Sequence, residues 1–274
     1  MIRSGWSSRA KHPAARPKPR RVLTGFVFLC LGLACPAYAE ATNAPSDAES
    51  EGGALAQKIL AQRPAESFTN LGTLVIKGDK QPRRELPVVF ETVVTETNWR
   101  TEYRAQLGAN HDETTALVVT HDGATPNLYR LDESGRPAPA DAAAWPAATD
   151  AAGGRALVPF AGSDFWLCDL GLEFFHWPRQ KVVKKEFHRN CACTVLESTN
   201  PDPAAGGYSR VVCWIDNDSF GIVEAYAYDL KGRELKNFYP KNLEKVNGRY
   251  RVESMVMENL QTGSRSRLDF DLNK

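Results

Sequence analysis

The chain has 274 residues, of which 42% are hydrophobic and 24% charged, with 34 Lys and Arg against 33 Asp and Glu. This profile is typical of a globular protein and excludes a collagen, a chain disordered throughout and a polytopic membrane protein. The charge is uneven: the first 39 residues hold seven basic and no acidic residues, which leaves 27 basic against 33 acidic, a net charge of −6, from Glu40 onward. An acidic body gains nothing from neutralising phosphates, so we expect no nucleic-acid partner.

The first 39 residues have the pattern of an export signal. Arg20-Arg21 precedes a thirteen-residue apolar run, Val22–Ala34, and the small-residue site Ala37-Tyr38-Ala39. We therefore predict a signal peptide over residues 1–39, cleaved after Ala39, and a periplasmic mature protein, with association to the outer membrane left open. At ~1.5 Å per residue the run covers about 20 Å, short of the ~30 Å hydrocarbon core, which disfavours a membrane anchor. The export route and lipidation of the mature N-terminus stay open.

Two segments follow the leader before the first strand. Residues 40–53 are small, polar and acidic, which predicts a flexible linker. Ala54–Gln62 predicts a short amphipathic helix, because Leu55, Ile59 and Leu60 fall on one side. This helix and everything after it, residues 54–274, are expected to form a single domain.

Short β-rich runs separated by turn residues predict strands in both halves of the chain. They are Leu71–Lys77, Glu85–Thr95, Trp99–Gln106, Thr114–Thr120, Asn127–Leu131, Lys181–Phe187, Cys191–Ser198, Tyr208–Asp216, Gly221–Asp229, Arg233–Phe238, Val246–Glu258 and Ser264–Leu272. A meander of about twelve strands accumulates twist and must curl or close. We therefore predict a mainly β fold, a curved antiparallel sheet with short helices across its concave face and a cavity beneath them.

Two further segments interrupt the strands in the middle of the chain. Residues 132–157 are rich in Ala and Pro with little periodicity, which predicts a long surface loop. Ser163–Pro178 predicts a helix, since Ser163 can cap it, Pro178 stops it and one helical face is apolar. That face carries Trp166, Leu170, Phe174 and Trp177.

Four cysteines remain after cleavage of the leader, and an even number in an exported chain favours disulfides. If the loop between Cys191–Ser198 and Tyr208–Asp216 is centred near Pro203, Cys193 faces Cys213 across a hairpin. We predict a Cys193–Cys213 bond, worth about 3 kcal/mol, and a Cys168–Cys191 bond by elimination. A thiolate metal site that also uses His176 or His188 is the weaker alternative, because no Cys-x-x-Cys loop is present.

The second half of the chain carries the residues of a family resemblance. They are Gly162–Trp166 (GSDFW), Asp169–Phe174 (DLGLEF), Val195–Ser198 (VLES), Tyr208–Val211 (YSRV), Trp214–Asp216 (WID), Glu224–Asp229 (EAYAYD) and Val246–Arg249 (VNGR). Together with the leader and the order of elements from about Leu71, these segments resemble the outer-membrane lipoprotein-sorting family, the LolA/LolB-like periplasmic carriers. The resemblance implies a half-barrel of about 11–12 antiparallel strands that holds acyl chains in an apolar cavity.

The resemblance also implies a function. The chain would be an extracytoplasmic carrier that binds acylated lipoproteins or lipid, takes them from an inner-membrane donor and sorts them to an outer-membrane acceptor. Trp166, Leu170, Phe174 and Trp177 would then form the lid or the cavity wall, with ordinary core packing as the alternative. A non-transporting envelope sensor or scaffold of the same fold, which binds a protein partner, is the second hypothesis. We expect no enzyme activity, no metal and no cofactor.

Two groups of charged residues have alternative interpretations. Asp169 and Glu173 are one helical turn apart near Asp164, which fits a glycosidase-like pair beside Trp166 and Trp177. Such carboxylates are more often a helix cap and a solvated face, so a glycan hydrolase is the third hypothesis. A basic run could meet anionic headgroups, although lysines more commonly protect the edge of a sheet. That run is Lys181, Lys184, Lys185, His188 and Arg189.

Overall fold

The computed structural model describes residues 45–80, 82–108, 113–132, 147–148, 157–246 and 249–271. The predicted signal peptide, the start of the predicted linker and most of the predicted Ala/Pro loop lie outside the described residues. No helix within these ranges is long and apolar enough to cross a membrane.

The described residues form one sheet of thirteen antiparallel strands and a few short helices. The strands are β1 Phe68–Lys77, β2 Arg84–Val94, β3 Trp99–Leu107, β4 Glu113–Asp122, β5 Thr125–Asp132, β6 Ala147–Ala148, β7 Arg179–His188, β8 Cys191–Thr199, β9 Arg210–Asp216, β10 Ile222–Tyr228, β11 Glu234–Val246, β12 Arg249–Asn259 and β13 Ser264–Asp271. The helices are α1 Asp47–Leu60 and α2 Leu167–Leu170, with 3-10 turns at Phe160–Gly162 and Glu173–His176. The mainly β prediction is confirmed, and each predicted run overlaps a strand, whereas β6 lies inside the predicted surface loop.

The strand order differs from a single meander. The sheet runs β6-β5-β4-β3-β2-β1-β13-β12-β11-β10-β9-β8-β7, so two meanders are joined where the first strand pairs with the last. In that junction Leu74 pairs with Leu268. The edges of the sheet are therefore β6 and β7, two strands from the middle of the sequence. The chain that leaves β6 must cross the whole sheet before it enters β7.

The sheet is strongly curved, as two neighbouring residues of this crossing chain demonstrate. The side chain of Glu173 accepts a hydrogen bond from Tyr129 on β5, and the carbonyl of Phe174 accepts one from Gln180 on β7. β5 and β7 are eleven strand spacings apart in the sheet, or about 50 Å if it were flat. Two adjacent residues can reach both strands only if the sheet curls around them, as the predicted half-barrel requires.

Helix α1 begins seven residues before the helix predicted from the sequence, inside the predicted linker. Ser46 and Glu49 form a capping box, in which each side chain bonds the backbone N–H of the other residue. Gly52, Ala56 and Ile59 are buried, and Gly52 lies against the backbone of Gln180 on β7. The two glycines at its centre hide the helical pattern, because glycine disfavours a helix interior.

Substituting the two adjacent glycines of α1 should have opposite effects. A Cβ at Gly52 would lie 2.6 Å from the backbone of Gln180, so Gly52→Ala should push the helix off β7 and lower the free energy of unfolding by about 1–3 kcal/mol. A Cβ at Gly53 meets nothing within 4 Å, so Gly53→Ala should raise it by up to about 1 kcal/mol. Urea unfolding of both variants measures the two changes, and a stabilised Gly52→Ala variant would contradict the close packing.

Candidate functional site

The segment over residues 157–178, which we call the plug, covers the concave face of the sheet. The sequence predicted one helix here, but the structure has two short turns and the single turn of α2. Leu172 interrupts the helix with a left-handed conformation, φ 52°. Gly171 precedes it, and a Cβ there would overlap the hydroxyl of Tyr129, so the plug is bent where β5 approaches it. The four predicted apolar residues therefore do not share one helical face.

The plug fills the concave face with apolar side chains of two clusters. Phe160, Phe165, Leu167 and Leu170 pack with β1 to β5 and with β12 and β13. Phe174 and Phe175 pack with α1 and with β8 to β11, and half-buried Trp166 and Trp177 pack against the same cluster. Of the predicted site residues, Leu170 thus belongs to one cluster and the other three to the second. Their role as a lid or cavity wall stays a prediction.

A buried ammonium connects the plug to the centre of the sheet. The side chain of Lys236, on β11, is 1% exposed. Its Nζ donates to the backbone oxygen of Asp164 at 2.7 Å and to Oδ2 of Asp169 at 3.1 Å, and it lies 3.3 Å from the centre of the Trp166 ring. Burial lowers the pKa of Lys236, and the carboxylate of Asp169 opposes that shift.

Asp169 is satisfied from three sides. Besides Lys236, Oδ1 accepts from the hydroxyl of Tyr208 at 2.7 Å and Oδ2 from the backbone N–H of Trp166 at 2.8 Å. Tyr208 also stacks on Trp166, with ring centres 4.8 Å apart. Burial and the neighbouring Asp169 raise the pKa of Tyr208, so its hydroxyl stays a donor. This network of one cation, one anion and two aromatic rings fixes the plug over β11.

A second polar contact joins the plug to β5. Oε2 of Glu173 accepts from the hydroxyl of Tyr129 at 2.9 Å and from the side-chain amide of Asn127 at 3.2 Å. Asn127 also donates to the backbone oxygen of Gly171. Glu173 is 5% exposed, and this burial raises its pKa to about 7 although both hydrogen bonds favour the charged form.

Further hydrogen bonds attach the plug to other strands. The carboxylate of Asp164 accepts hydrogen bonds from Ser264 and Ser266 on β13. The side-chain amide of Gln180, on β7, donates to the backbone oxygens of Phe174 and Trp177 at 2.9 and 2.8 Å. The guanidinium of Arg84, on β2, donates to the backbone oxygen of Gly162 at 3.3 Å. The plug is therefore bonded to five strands spread across the sheet, namely β2, β5, β7, β11 and β13.

A small cavity remains between the plug and the second half of the sheet. Its volume is about 20 Å³, room for about one water molecule and far less than an acyl chain of sixteen carbons needs. Asp169 and Lys236 lie at its wall, and the remaining lining is mostly apolar. The apolar residues are Leu172, Phe174, Val211, Ala225, Ala227, Phe238 and Met257. An acyl-sized cavity under this part of the plug requires the plug to move.

The predicted disulfides are absent, because all four cysteines are free. The hairpin register explains why the Cys193–Cys213 prediction is wrong: Cys193 pairs with Asp216, and Cys213 pairs with Leu196, three residues away from the predicted partner. By the period of two, an odd shift places the two cysteines on opposite faces of the sheet. Cys168 is buried in the plug, whereas Cys191 is partly exposed at the start of β8.

The carboxylates of the predicted glycosidase-like pair face different partners. Asp169 bonds Lys236 and Tyr208, whereas Glu173 bonds Tyr129 and Asn127 on the other half of the sheet. Asp169 and Glu173 therefore do not face each other across an open cleft, as a glycosidase pair does. For the alternative metal site, the described residues contain no group of three His, Cys, Asp or Glu side chains able to hold an ion.

The predicted basic run lies on the edge strand β7 and the turn after it. Lys184 and Lys185 form ion pairs with Glu186 and Glu51, while His188 and Arg189 both contact Glu224 on the convex face. A bulge between Val182 and Lys184 also interrupts the pairing of this strand. Lysines and a bulge are common protections of a sheet edge.

Sequence reasoning missed the sheet residues that hold the plug, Tyr129, Asn127, Gln180 and Lys236. Lys236 gives no signal, because a lysine between Leu235 and Asn237 in a strand is ordinarily a solvated side chain. Asn127 and Tyr129 share a strand face by the period of two, but nothing in the sequence says that this face meets Glu173.

A family model described as an uncharacterized protein matches residues 150–273. A search of curated proteins gives no significant match.

Solved structures match over most of the chain. A DUF1329 family protein from Desulfovibrio piger aligns with a TM-score of 0.64 and 19% identity, over 83% of this chain and 92% of that protein. A domain described as an outer membrane lipoprotein-sorting protein, from Vibrio parahaemolyticus, aligns with a TM-score of 0.65 and 20% identity, over 81% and 91%. A LolA superfamily protein from Nitrosomonas europaea gives 0.54 and 17%, over 82% and 92%. The chain therefore has the fold of LolA-like lipoprotein-sorting proteins, as the resemblance in its sequence implied.

Proposed function

We propose that the chain is an extracytoplasmic carrier that shelters the acyl chains of lipoproteins, or of related lipids, on the concave face of its sheet. The observation that carries this proposal is the nature of the covering layer. The apolar concave face is covered mostly by one irregular segment, the plug, with helix α1 over one end, and not by a second sheet. A segment of short turns can leave that face without breaking any strand pairing, so the sheet can exchange its own cover for an acyl chain.

The energies of this exchange are comparable. Burying a chain of sixteen carbons at ~0.8 kcal/mol per CH₂ gives about 12 kcal/mol of gross stabilisation. The plug buries six Phe and Leu side chains, each worth about 1.5–3 kcal/mol. Removing them from the sheet therefore costs an amount of the same order, about 9–18 kcal/mol. Because the energy gained by burying the acyl chain is close to the cost of displacing the plug, the carrier can release its ligand as well as bind it.

Export completes the proposal. The predicted signal peptide over residues 1–39 would deliver the chain to the periplasm, between an inner-membrane donor and an outer-membrane acceptor of lipoproteins. The outer-membrane lipoprotein-sorting domain from Vibrio parahaemolyticus has the same fold, which is consistent with this location.

Replacing an apolar plug residue by a charged one tests the proposal. In the mature protein, Trp166→Asp should weaken binding of a fluorescent acyl lipid at least tenfold with an unchanged far-UV circular dichroism spectrum. The displaced plug would lie over the bound chain, and a carboxylate on its inner surface opposes burial of that chain. The matched control is Leu128→Asp, which changes a 64% exposed residue of β5 and should leave binding unchanged. Native mass spectrometry of the purified parent should show bound acyl species. Equal binding by parent and Trp166→Asp would contradict the proposed site.

A second candidate function rests on the filled concave face. If the plug never leaves the sheet, the chain is a sensor or scaffold that binds a protein partner, and its interior is a permanent core. The mass-spectrometric test separates the two functions: a parent that carries no acyl species and takes up none from acyl lipid in excess supports the scaffold. The glycan-hydrolase hypothesis depended on Asp169 and Glu173 acting as a pair, and it is not supported, because the two are bonded to separate parts of the sheet.

A further inference from the structure

Lys236 is a buried charge on the sheet whose counter-ion is supplied by the plug, and this arrangement bears on the ligand. Both oxygens that its Nζ contacts belong to the plug: the backbone oxygen of Asp164 and Oδ2 of Asp169. The Trp166 ring that covers the ammonium also belongs to the plug. Lys236 itself belongs to β11, where it pairs with Ala227 of β10. Displacing the plug would therefore take away the neutralising partners and leave the cation on the sheet.

The surroundings that remain on the sheet are apolar. The small cavity beside Lys236 is lined from the sheet by Val211, Ala225, Ala227, Phe238 and Met257. Tyr208, which precedes β9, is the neighbouring polar residue that does not belong to the plug. Its ring centre lies 5.4 Å from Nζ of Lys236, and its hydroxyl bears no negative charge. An ammonium left in such a place without a counter-ion is strongly unfavourable, so whatever replaces the plug has to supply one.

Resting on the proposed carrier function, we propose that the acyl ligand carries an anionic headgroup, a carboxylate or a phosphate, which pairs with Lys236 in place of Asp169. The acyl chain would extend from Lys236 along the apolar lining, as the plug residues Leu172 and Phe174 now do. A neutral head offers only hydrogen bonds to the ammonium, and a cationic head repels it. The lysine thus selects among amphiphiles of equal chain length.

A series of ligands with the same sixteen-carbon chain tests this selection. Palmitate, hexadecyl phosphate, hexadecanol and hexadecyltrimethylammonium are each titrated, below their aggregation concentrations, against a neutral fluorescent acyl alcohol bound to the mature protein. The parent should bind palmitate or hexadecyl phosphate at least about tenfold more tightly than hexadecanol, and the cationic ligand least, because charge-assisted hydrogen bonds are the stronger ones. The order of palmitate and hexadecyl phosphate tells whether a fatty acid or a phospholipid head fits better.

Two variants assign the selection to its residue. Lys236→Met should bring the affinities for palmitate and hexadecanol to within about twofold of each other, while Lys184→Met, on the exposed edge strand, should keep the preference of the parent. If Lys236→Met does not fold, the ligand series on the parent decides. Two outcomes would overturn the role of Lys236 without contradicting the carrier function. The first is equal affinity of the parent for palmitate and hexadecanol, and the second is a preference for palmitate that survives in Lys236→Met. Failure of every ligand to bind overturns the carrier and this assignment together.

Discussion

Asp169→Asn should lower the free energy of unfolding by about 3–5 kcal/mol, because it leaves the ammonium of Lys236 buried without its carboxylate. The two side chains are 7% and 1% exposed, so bulk water does not solvate the ammonium in place of the lost carboxylate. The asparagine oxygen can still accept the backbone N–H of Trp166, so the change removes a charge and keeps the shape. Urea unfolding at pH 7, followed by far-UV circular dichroism, measures the difference.

An exposed ion pair and a double variant serve as controls. Glu197→Gln removes the carboxylate that contacts Arg210 on the sheet surface, where both side chains are about a third exposed, and should cost less than about 1 kcal/mol. Combining Asp169→Asn with Lys236→Met removes both charges, so the combined loss should be smaller than the sum of the single losses. A parent-like stability of Asp169→Asn would show that the pair does not hold the plug.

Glu173→Gln should make the protein more stable than the parent at pH 8, by up to about 3 kcal/mol, and equal to it below pH 4.5. The pKa of Glu173 is raised from 4.5 to about 7 in the folded protein. Between these values the folded state keeps a proton that the unfolded state has lost, so stability is fully present below pH 4.5 and falls as pH rises towards 7. The slope is about 1.4 kcal/mol per pH unit, and glutamine, which stays neutral, removes it.

The difference between variant and parent isolates this carboxyl group from other titrations. His121 acts in the opposite direction, because burial lowers its pKa from 6.5 to about 4, so it adds stability as pH rises through that window. Its contribution is the same in both proteins and cancels. Urea unfolding at pH 4.5, 6 and 8 gives the comparison. A constant difference across the three pH values would mean that Glu173 has the same pKa in the folded and the unfolded protein.

The strands could be predicted from sequence because each one signals itself locally. Alternating burial, as in Leu86, Val88 and their exposed neighbours on β2, leaves a period of two in the sequence, and turn residues mark its ends. Pairing between distant strands leaves no such local signal. The junction of β1 with β13 could therefore not be predicted. Because this junction decides which strands are the edges of the sheet, the path of the plug could not be predicted either.

The cysteines and the plug show a second limit of sequence reasoning. The disulfide prediction depended on the position of a turn, and a shift of three residues was enough to turn Cys193 to the other face of the sheet. The plug has a helical pattern, but β5 comes too close at Gly171 for a regular helix to continue, so tertiary packing overrides the local signal. The aromatic residues of the candidate site were predicted, whereas Lys236 became visible only when the fold placed it beneath Trp166.

The route of the chain across the sheet also limits how the concave face can open. The plug continues directly into β7 at one edge of the sheet, and its other end is connected along the chain to β6, at the opposite edge, by residues outside the described ranges. A flap hinged at one end could swing away freely, but a strap fixed at both ends can only bow outward or let the two edges spread apart. Binding of a ligand beneath the plug would therefore deform the whole curved sheet, and the distance between its two edge strands would increase with occupancy.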